Sequence, residues 1–210
     1  MAGNRGTSRT DRDDPTAASG VARSASIGDP GPLGLAGFAL TTFILSCVNS
    51  GILPATVEPV VFGLALFYGG IAQFAAGLWE FAKGNTFGAT AFCSYGAFWM
   101  SFWYLANSTD LTAAGADANK GVGTWLLAWG IFTAYMTVAA MRTTGAIFAV
   151  FVVLTITFFL LAIGEYSMTE GITKIGGYAG ILTALLAWYA SFAGVTNATH
   201  QREALPTWPR

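Results

Sequence analysis

Side chains suited to acid–base, nucleophilic or metal chemistry are scarce in the apolar segments of this sequence. Glu58 and Glu80 stand near opposite ends of one apolar run, and Lys83 lies just beyond it. The one histidine, His200, cannot form a zinc site alone. The sequence has no Ser-His-Asp set, metal-ligand cluster or Gly-rich nucleotide loop. An enzyme needs a positioned titratable or nucleophilic set, so we expect no enzyme activity, metal or cofactor.

The polar residues inside the apolar runs are mostly uncharged, and their spacing places them on shared helical faces. The candidate pore-lining residues are Thr41, Thr42 and Asn49 in the first run and Gln73 in the second. Glu80 shares the face of Gln73 and is the candidate proton or ion site. An uncharged polar lining suits a pore. Hydrogen bonds between helices would account equally well for Asn49 and Gln73, because buried amides need partners.

An aromatic stripe follows in the third run, where Tyr95, Phe98 and Phe102 recur at helical spacing. Packing of a helix core is the usual role of such a stripe. Its alternative role is a gate, because a ring of large apolar side chains limits the passage of solutes.

The segment over residues 29–35 (DPGPLGL) leads directly into the first apolar run. Its prolines fix φ and remove N–H donors, and its glycines let the backbone approach a ligand. The N–H groups at a helix start carry partial positive charge and can hold a carboxylate without a basic side chain. An ordinary proline-started helix is the alternative. The residues assigned to substrate binding here are Pro32, Leu33 and Gly34.

The composition places the chain in a lipid bilayer. Of its 210 residues, 54% are hydrophobic and only 10% are charged, whereas soluble domains carry about 25% charged residues. The net charge of −1 offers no basic surface for nucleic acid. Six apolar runs approach the length of about 20 residues that a spanning helix needs. They cover residues 33–52, 57–79, 86–106, 124–141, 146–164 and 172–193. We therefore predict an all-α integral membrane protein with six transmembrane helices.

The distribution of Lys and Arg predicts the orientation of these helices. With the N-terminus inside the cell, Lys120 and Lys174 lie outside, and the other eight of the ten basic residues lie in the cytoplasm. Both termini are therefore predicted to be cytoplasmic. Residues 1–28 have the polar composition of a disordered cytoplasmic tail, which leaves residues 29–206 as the transmembrane domain.

Several stretches of the sequence resemble one known family of membrane proteins. Residues 30–35 (PGPLGL) resemble the NPAPLGL signature of the acetate uptake transporter family, which includes bacterial succinate–acetate permeases and yeast ammonia/acetate exporters. Residues 67–80 (FYGGIAQFAAGLWE) resemble the family's second helix. Further similar stretches are residues 83–88 (KGNTFG), 94–99 (SYGAFW) and 160–164 (LLAIG). The likeness extends over about residues 28–206, although Asp29 and Gly31 replace the Asn and first Ala of the signature.

The resemblance implies six helices per protomer, assembly as a homo-oligomer (a hexamer), and one pore through each protomer. The pore would carry acetate and, as in some members, succinate. Similarity places a hydrophobic constriction at Phe38, Tyr95 and Leu154. We therefore expect a multi-pass protein of the cell membrane that passes small carboxylates, either as a channel or together with protons.

Two other functions are compatible with the residues themselves. Six-helix protomers with few buried charges also form channels for neutral solutes such as urea and short amides. A membrane signalling or adaptor protein is the second alternative, in which residues 1–28 would carry the interaction.

Overall fold

The computed structural model describes residues 27–209, and most of them lie in six long helices. These are α1 Gly31–Asn49, α2 Val60–Lys83, α3 Thr86–Ser108, α4 Asp117–Ala140, α5 Gly145–Ser167 and α6 Glu170–His200. Each coincides with a predicted apolar run, but α4 begins at Asp117 rather than 124 and α6 ends at His200 rather than 193. The prediction of a tail over residues 1–28 falls outside the described residues, apart from the last two.

Length and composition identify five of the six helices as candidate membrane spans. Within residues 27–209, all of them except α3 are long and apolar enough to cross a membrane. At 1.5 Å per residue, the 23 residues of α3 extend about 34 Å, against a hydrocarbon core of about 30 Å. Large apolar side chains such as Phe67, Ile131 and Leu185 are at least half exposed on the outer surface. The prediction of an all-α, multi-pass membrane protein is confirmed.

Helix α2 is irregular. It begins as a short α-helix at Val60–Gly63, continues as a π-helix over Leu64–Ala72, and returns to α-helix at Gln73–Lys83. Wide helical turns of this kind often occur at functional sites. The transition places Gln73 at the first residue after the π-helix.

The turn between α2 and α3 follows the local sequence. Gly84 ends α2 in the left-handed conformation with φ of +81°, which glycine adopts without steric cost. The side chain of Asn85 then accepts a hydrogen bond from the N–H of Gly88 at 3.1 Å and caps α3.

The helices form a closed ring in which small residues allow close approach on one side. Helix α1 packs against α2 and α6, α6 against α5, α5 against α4, and α2 against α3. A Cβ added at Gly37 would lie 2.5 Å from the carbonyl oxygen of Tyr68, and one at Gly77 would lie 2.5 Å from the amide nitrogen of Cys93. Glycine at these positions therefore lets α1, α2 and α3 approach to backbone contact.

Aromatic rings fill the opposite side of the ring of helices, where α3 makes few backbone contacts with α4. Phe98 stacks on Trp125 with ring centroids 4.9 Å apart. It also meets Trp129 and Phe158 edge-on at 5.2 and 5.4 Å. The predicted aromatic stripe of α3 is thus largely a packing surface, apart from Tyr95.

Both described ends of the chain lie at the same end of the bundle. The N–H of Gly145, at the start of α5, donates to the carbonyl oxygen of Trp208 at 2.7 Å. Asp29 and Thr207 border the same open space. A chain that passes through the bundle an even number of times produces this arrangement.

Candidate functional site

Two adjacent spaces lie inside the bundle. The larger, which we call the vestibule, has a volume of about 480 Å³ and opens at the end where α1, α3 and α5 begin. The smaller, which we call the constriction cavity, has a volume of about 40 Å³ and lies deeper. Residues such as Leu35, Phe92 and Ile147 belong to both linings, so the two spaces are adjacent. They follow one another from one end of the bundle towards its centre.

The structure brings Phe38, Tyr95 and Leu154 together in the lining of the constriction cavity. All three side chains are buried, and the rings of Phe38 and Tyr95 have centroids 5.7 Å apart. Helices α1, α3 and α5 run in the same direction, so these residues meet at a similar depth. Their role as the narrowest part of a pore stays a prediction.

The hydroxyl group of Tyr95 forms its hydrogen bond with α4 and not within the cavity. It lies 2.9 Å from Oγ1 of Thr133 in α4. Because the single hydroxyl proton of Thr133 is donated to the carbonyl oxygen of Trp129 at 2.7 Å, Tyr95 must be the donor of the shared bond. The Tyr95 hydroxyl is therefore already committed to α4.

Gln73 is the other polar side chain in the cavity lining. It is 0% exposed, and neither Oε1 nor Nε2 has a hydrogen-bond partner. The alternative interpretation of Gln73, a hydrogen bond between helices, therefore finds no partner among the described residues.

The polar residues predicted on α1 lie outside the cavity lining. Thr41 is buried against α2, and its hydroxyl donates to the carbonyl oxygen of Gly37 at 2.8 Å. Thr42 is buried one turn beyond Phe38, and its Oγ1 has no partner. Asn49 is half-buried at the last residue of α1, and lines neither the vestibule nor the cavity.

The segment before α1 contributes unequally to the vestibule. Pro32 lines it, and its carbonyl oxygen accepts a hydrogen bond from Ser191 at 2.7 Å. Leu33 is instead 46% exposed in an outer groove, because neighbouring helical residues point about 100° apart. Gly34 faces Phe92, whose ring would lie 2.7 Å from an added Cβ. Of the three residues assigned to substrate binding here, only Pro32 borders the open space.

The charged residues at the vestibule lie in two bonded groups. Asp29 Oδ1 accepts from the N–H of Gly31 at 3.0 Å and pairs with Lys83 Nζ at 2.8 Å. Glu80 is only 2% exposed, and its Oε2 accepts from Asn85 at 2.8 Å. Each of these charges therefore has a partner or a hydrogen bond.

Three helix starts border the vestibule. Pro32 of α1, Gly88 of α3 and Ala146 of α5 each lie within the first turns of their helix and line this space. The partial positive charge of helix N-termini favours anions at this end. The sequence predicted such a field for α1 alone, because the other two starts approach it only in the folded bundle.

Several lining residues escaped the sequence interpretation. They are Phe92, Phe151, Asn85, Asn197 and Thr144. Helical spacing offered one signal, because Phe92 and Phe151 each stand three residues before a predicted constriction residue. Nothing local distinguishes Asn197, which reaches the vestibule from the last helix and also binds the backbone of residues 204 and 205.

A profile of the GPR1/FUN34/yaaH family matches residues 14–209 of this sequence. The chain belongs to this family. The resemblance inferred from the motifs is thereby confirmed.

Several individual proteins are similar to this chain over most of its length. Accumulation of dyads protein 2 of Saccharomyces cerevisiae is 46% identical over 181 residues, which are 80% of this chain and 62% of the relative. Acetate permease A of Emericella nidulans is 40% identical over 85% of this chain and 65% of its own length. The succinate-acetate/proton symporter SatP of Escherichia coli K12 is 37% identical over 86% of this chain and 95% of its own.

The solved structure of the bacterial acetate channel SatP has the same fold, with a TM-score of 0.79 at 36% identity. The match covers 87% of this chain and 99% of that one. The chain therefore spans nearly all of the two bacterial proteins but less than two thirds of the two fungal relatives. The names of the permease, symporter and channel describe transport rather than enzyme activity, as expected for this sequence.

Proposed function

We propose that this family member passes acetate and other small carboxylates, succinate among them, across the cell membrane through one pore in each protomer. The observation that carries the proposal is the position of the vestibule directly next to the cavity lined by Phe38, Tyr95 and Leu154. The similarity to acetate permease A and to the SatP symporter and channel supports the choice of substrate.

The two spaces support different parts of this function. The vestibule, with its three helix starts, favours the entry of an anion. The constriction cavity is small and apolar, so passage depends on the size of the solute and on the cost of removing its water. In this proposal Phe38, Tyr95 and Leu154 set the size limit, and Gln73 contacts the solute.

The proposal extends to topology and assembly. The domain over residues 29–206 crosses the membrane six times with both termini in the cytoplasm, so the vestibule is the cytoplasmic mouth. Apolar side chains exposed on the outer surface, such as Phe67 and Leu185, support contact with lipid or with further copies in a hexamer.

Uptake of labelled acetate into vesicles containing the purified full chain tests the function. We expect protein-dependent uptake that unlabelled acetate and succinate reduce and urea does not. Uptake of urea with no uptake of acetate would identify a neutral-solute channel. Removal of residues 1–28 should leave acetate uptake nearly intact, whereas an adaptor protein would lose its function.

Labelling of single introduced cysteines tests the topology. We expect Lys120→Cys to react with an impermeant reagent from outside the cell, and Lys83→Cys to react only from inside. Both lysines carry partly exposed side chains at opposite ends of the bundle. The reverse pattern would contradict a cytoplasmic N-terminus.

A further inference from the structure

The segment that follows α6 returns to the vestibule and crosses its edge. We call residues 204–209 of this segment the strap. Thr207 lines the vestibule, whereas Trp208 lines an outer groove of about 580 Å³ between α5 and α6. The strap therefore lies between two open spaces, which leave it room to shift without displacing a helix.

Main-chain oxygens of the strap cap the start of α5. The N–H of Gly145 donates to the carbonyl oxygen of Trp208 at 2.7 Å. The N–H of Ala146 donates to the carbonyl oxygen of Thr207 at 3.3 Å. The next two N–H groups of α5 are bonded locally, to the side chain and the carbonyl oxygen of Thr144. Of the four N–H groups that a helix leaves open at its start, two thus depend on the strap.

The other two helix starts at the vestibule are capped by their own neighbours in the sequence. Gly31 of α1 donates to the side chain of Asp29, and Gly88 of α3 donates to that of Asn85. A local cap of this kind stays with its helix. The strap comes from the far side of α6, so it can leave α5 without unfolding that helix.

Two side chains of α6 anchor the strap at its two ends. Asn197 holds the near end with three hydrogen bonds of 2.8–2.9 Å to the main chain of residues 204–205. Tyr189 holds the far end, where its hydroxyl donates to the carbonyl oxygen of Pro206 at 2.7 Å and its ring stacks on Trp208. The far end has one side-chain hydrogen bond against three at the near end, so it is the end that opens more easily.

The far end is also strained. Trp208 has φ of +53°, a left-handed conformation that is unusual for a bulky side chain. Its side chain is 55% exposed, so burial compensates for little of this strain. Release of the far end would relieve the strain and would leave the N–H groups of Gly145 and Ala146 beside open space that water can enter.

The docked strap works against the entry of an anion. A carbonyl oxygen carries partial negative charge, so two of them at the start of α5 offset the positive end of that helix. Thr207 also takes up part of the edge of the vestibule. Both effects are lost when the far end of the strap leaves α5.

We propose that the strap is a displaceable inhibitory cap, which slows the entry of carboxylate anions while it is docked on α5 and speeds their entry when Thr207 and Trp208 are released. The inference rests on the proposed function and concerns the regulation of the vestibule. Tyr189 and Asn197 are positioning residues for the strap.

A reversible cross-link is the direct test. A Cβ added at Gly145 would lie 3.0 Å from the Cβ of Trp208, and a disulfide needs about 3.5–4.5 Å between these atoms. The pair Gly145→Cys and Trp208→Cys can therefore form one after a small shift. In vesicles containing the full chain, labelled acetate uptake should be about two- to fivefold lower with the oxidised pair than with the reduced pair, as for a charge at a helix start. High salt should reduce this difference.

The unaltered chain is the control for the cross-link. Its own cysteines are Cys47 and Cys93, and its uptake should be the same in oxidant and reductant. Equal or higher uptake by the oxidised pair would overturn the inference, as would failure of the two introduced cysteines to cross-link. Absence of protein-dependent acetate uptake by the unaltered chain would instead overturn the proposed function.

Tyr189→Phe loosens the strap without a cross-link. It removes the hydrogen bond to Pro206 and keeps the ring that stacks on Trp208, so acetate uptake should rise about twofold because the far end is released more often. Tyr178→Phe is the matched control, since Tyr178 is an exposed tyrosine near the other end of α6, and it should leave uptake unchanged. Unchanged or lower uptake in Tyr189→Phe would show that the strap only supports the edge of the vestibule, and would overturn the inference.

Discussion

The vestibule and the constriction cavity are adjacent but differ in how far their polar groups are hydrogen-bonded. In the vestibule, Asp29 pairs with Lys83, Asn85 donates to Glu80, and about 480 Å³ is left open. In the cavity, about 40 Å³ is bounded by apolar side chains, and the amide of Gln73 has no partner among the described residues. The vestibule keeps its own polar groups stable without a solute, whereas the cavity has a hydrogen-bonding deficit that a solute can fill.

This contrast separates two tasks that one site could not perform well. In the proposed function, a charged solute is gathered where water and partial charges lower its energy, and is selected where water is excluded. Changes in the cavity should therefore alter size selectivity and stability strongly, because buried side chains there cannot relax into solvent. Changes in the vestibule should have smaller, salt-dependent effects.

The largest effect is expected for Leu154→Ala in the cavity lining. Removal of a buried leucine side chain costs about 2–5 kcal/mol of unfolding free energy. The wider opening should raise uptake of propionate relative to acetate about tenfold, since one methylene in an apolar pocket is worth about 1–3 kcal/mol. Both are measured on the purified protein, by thermal unfolding and by paired isotope uptake.

Leu126→Ala provides the comparison, because Leu126 is buried in the same core but does not line the cavity. It should lower stability and leave the ratio of propionate to acetate unchanged. An equal change of that ratio in both variants would remove Leu154 from the size limit.

The bond between Tyr95 and Thr133 behind the cavity gives the next largest effect. Thr133→Val leaves the buried Tyr95 hydroxyl without an acceptor, which should cost about 1–3 kcal/mol. Adding Tyr95→Phe removes the orphaned hydroxyl, so the double variant should recover much of the loss. Unfolding of the two single variants and the double variant measures this coupling, and strictly additive losses would show that the two hydroxyls do not interact.

Asn85 tests the hydrogen bonds that hold the vestibule together. Asn85→Ala removes both the cap of α3 and the bond to Glu80, and should cost about 0.5–2 kcal/mol. Asn85→Ser keeps a capping oxygen and should lose less. Thermal unfolding compares the two, and an equal loss would mean that the Glu80 bond, rather than the cap, stabilises this turn.

The smallest effect is expected for Lys83→Met at the rim of the vestibule. Its ion pair with Asp29 is partly exposed, so the loss of stability should not exceed about 1 kcal/mol. Acetate uptake should fall less than about twofold at low salt and become normal at high salt, because salt screens exposed charges. Lys120→Met removes the similar Lys120–Asp117 pair at the other end of the bundle, and its uptake should not depend on salt. Identical salt dependence in both variants would argue against a local field in the vestibule.

Much of the fold was predictable because its signals are local. Apolar runs of about 20 residues marked all six helices, and Gly84 and Asn85 marked the turn between α2 and α3 by backbone conformation and capping. Spacing alone also placed Gln73 and Glu80 on one face, and both are buried inside the bundle.

The site was predictable only in part. Tyr95 stood out in the aromatic stripe of the third run, whereas Leu154 was identified through the family resemblance. Leu154 lies in α5, a helix that is apolar on all sides, and composition cannot show which of its faces is turned inward. Leu33 was assigned to the path and lies on the outer surface, since the rotation of α1 is fixed by its contacts with α2 and α6.

The sequence by itself determined that the chain lies in a lipid bilayer, where its helices are, and that few charges lie inside them. Each of these depends on composition and on interactions between near neighbours. The tertiary structure decided which buried polar groups have a hydrogen-bond partner and which have none. Tyr95 and Gln73 look equally able to meet a solute in the sequence, but packing against α4 gives Tyr95 a partner in Thr133 and leaves Gln73 with none among the described residues. That difference depends on the relative positions of α2, α3 and α4, which no local pattern encodes.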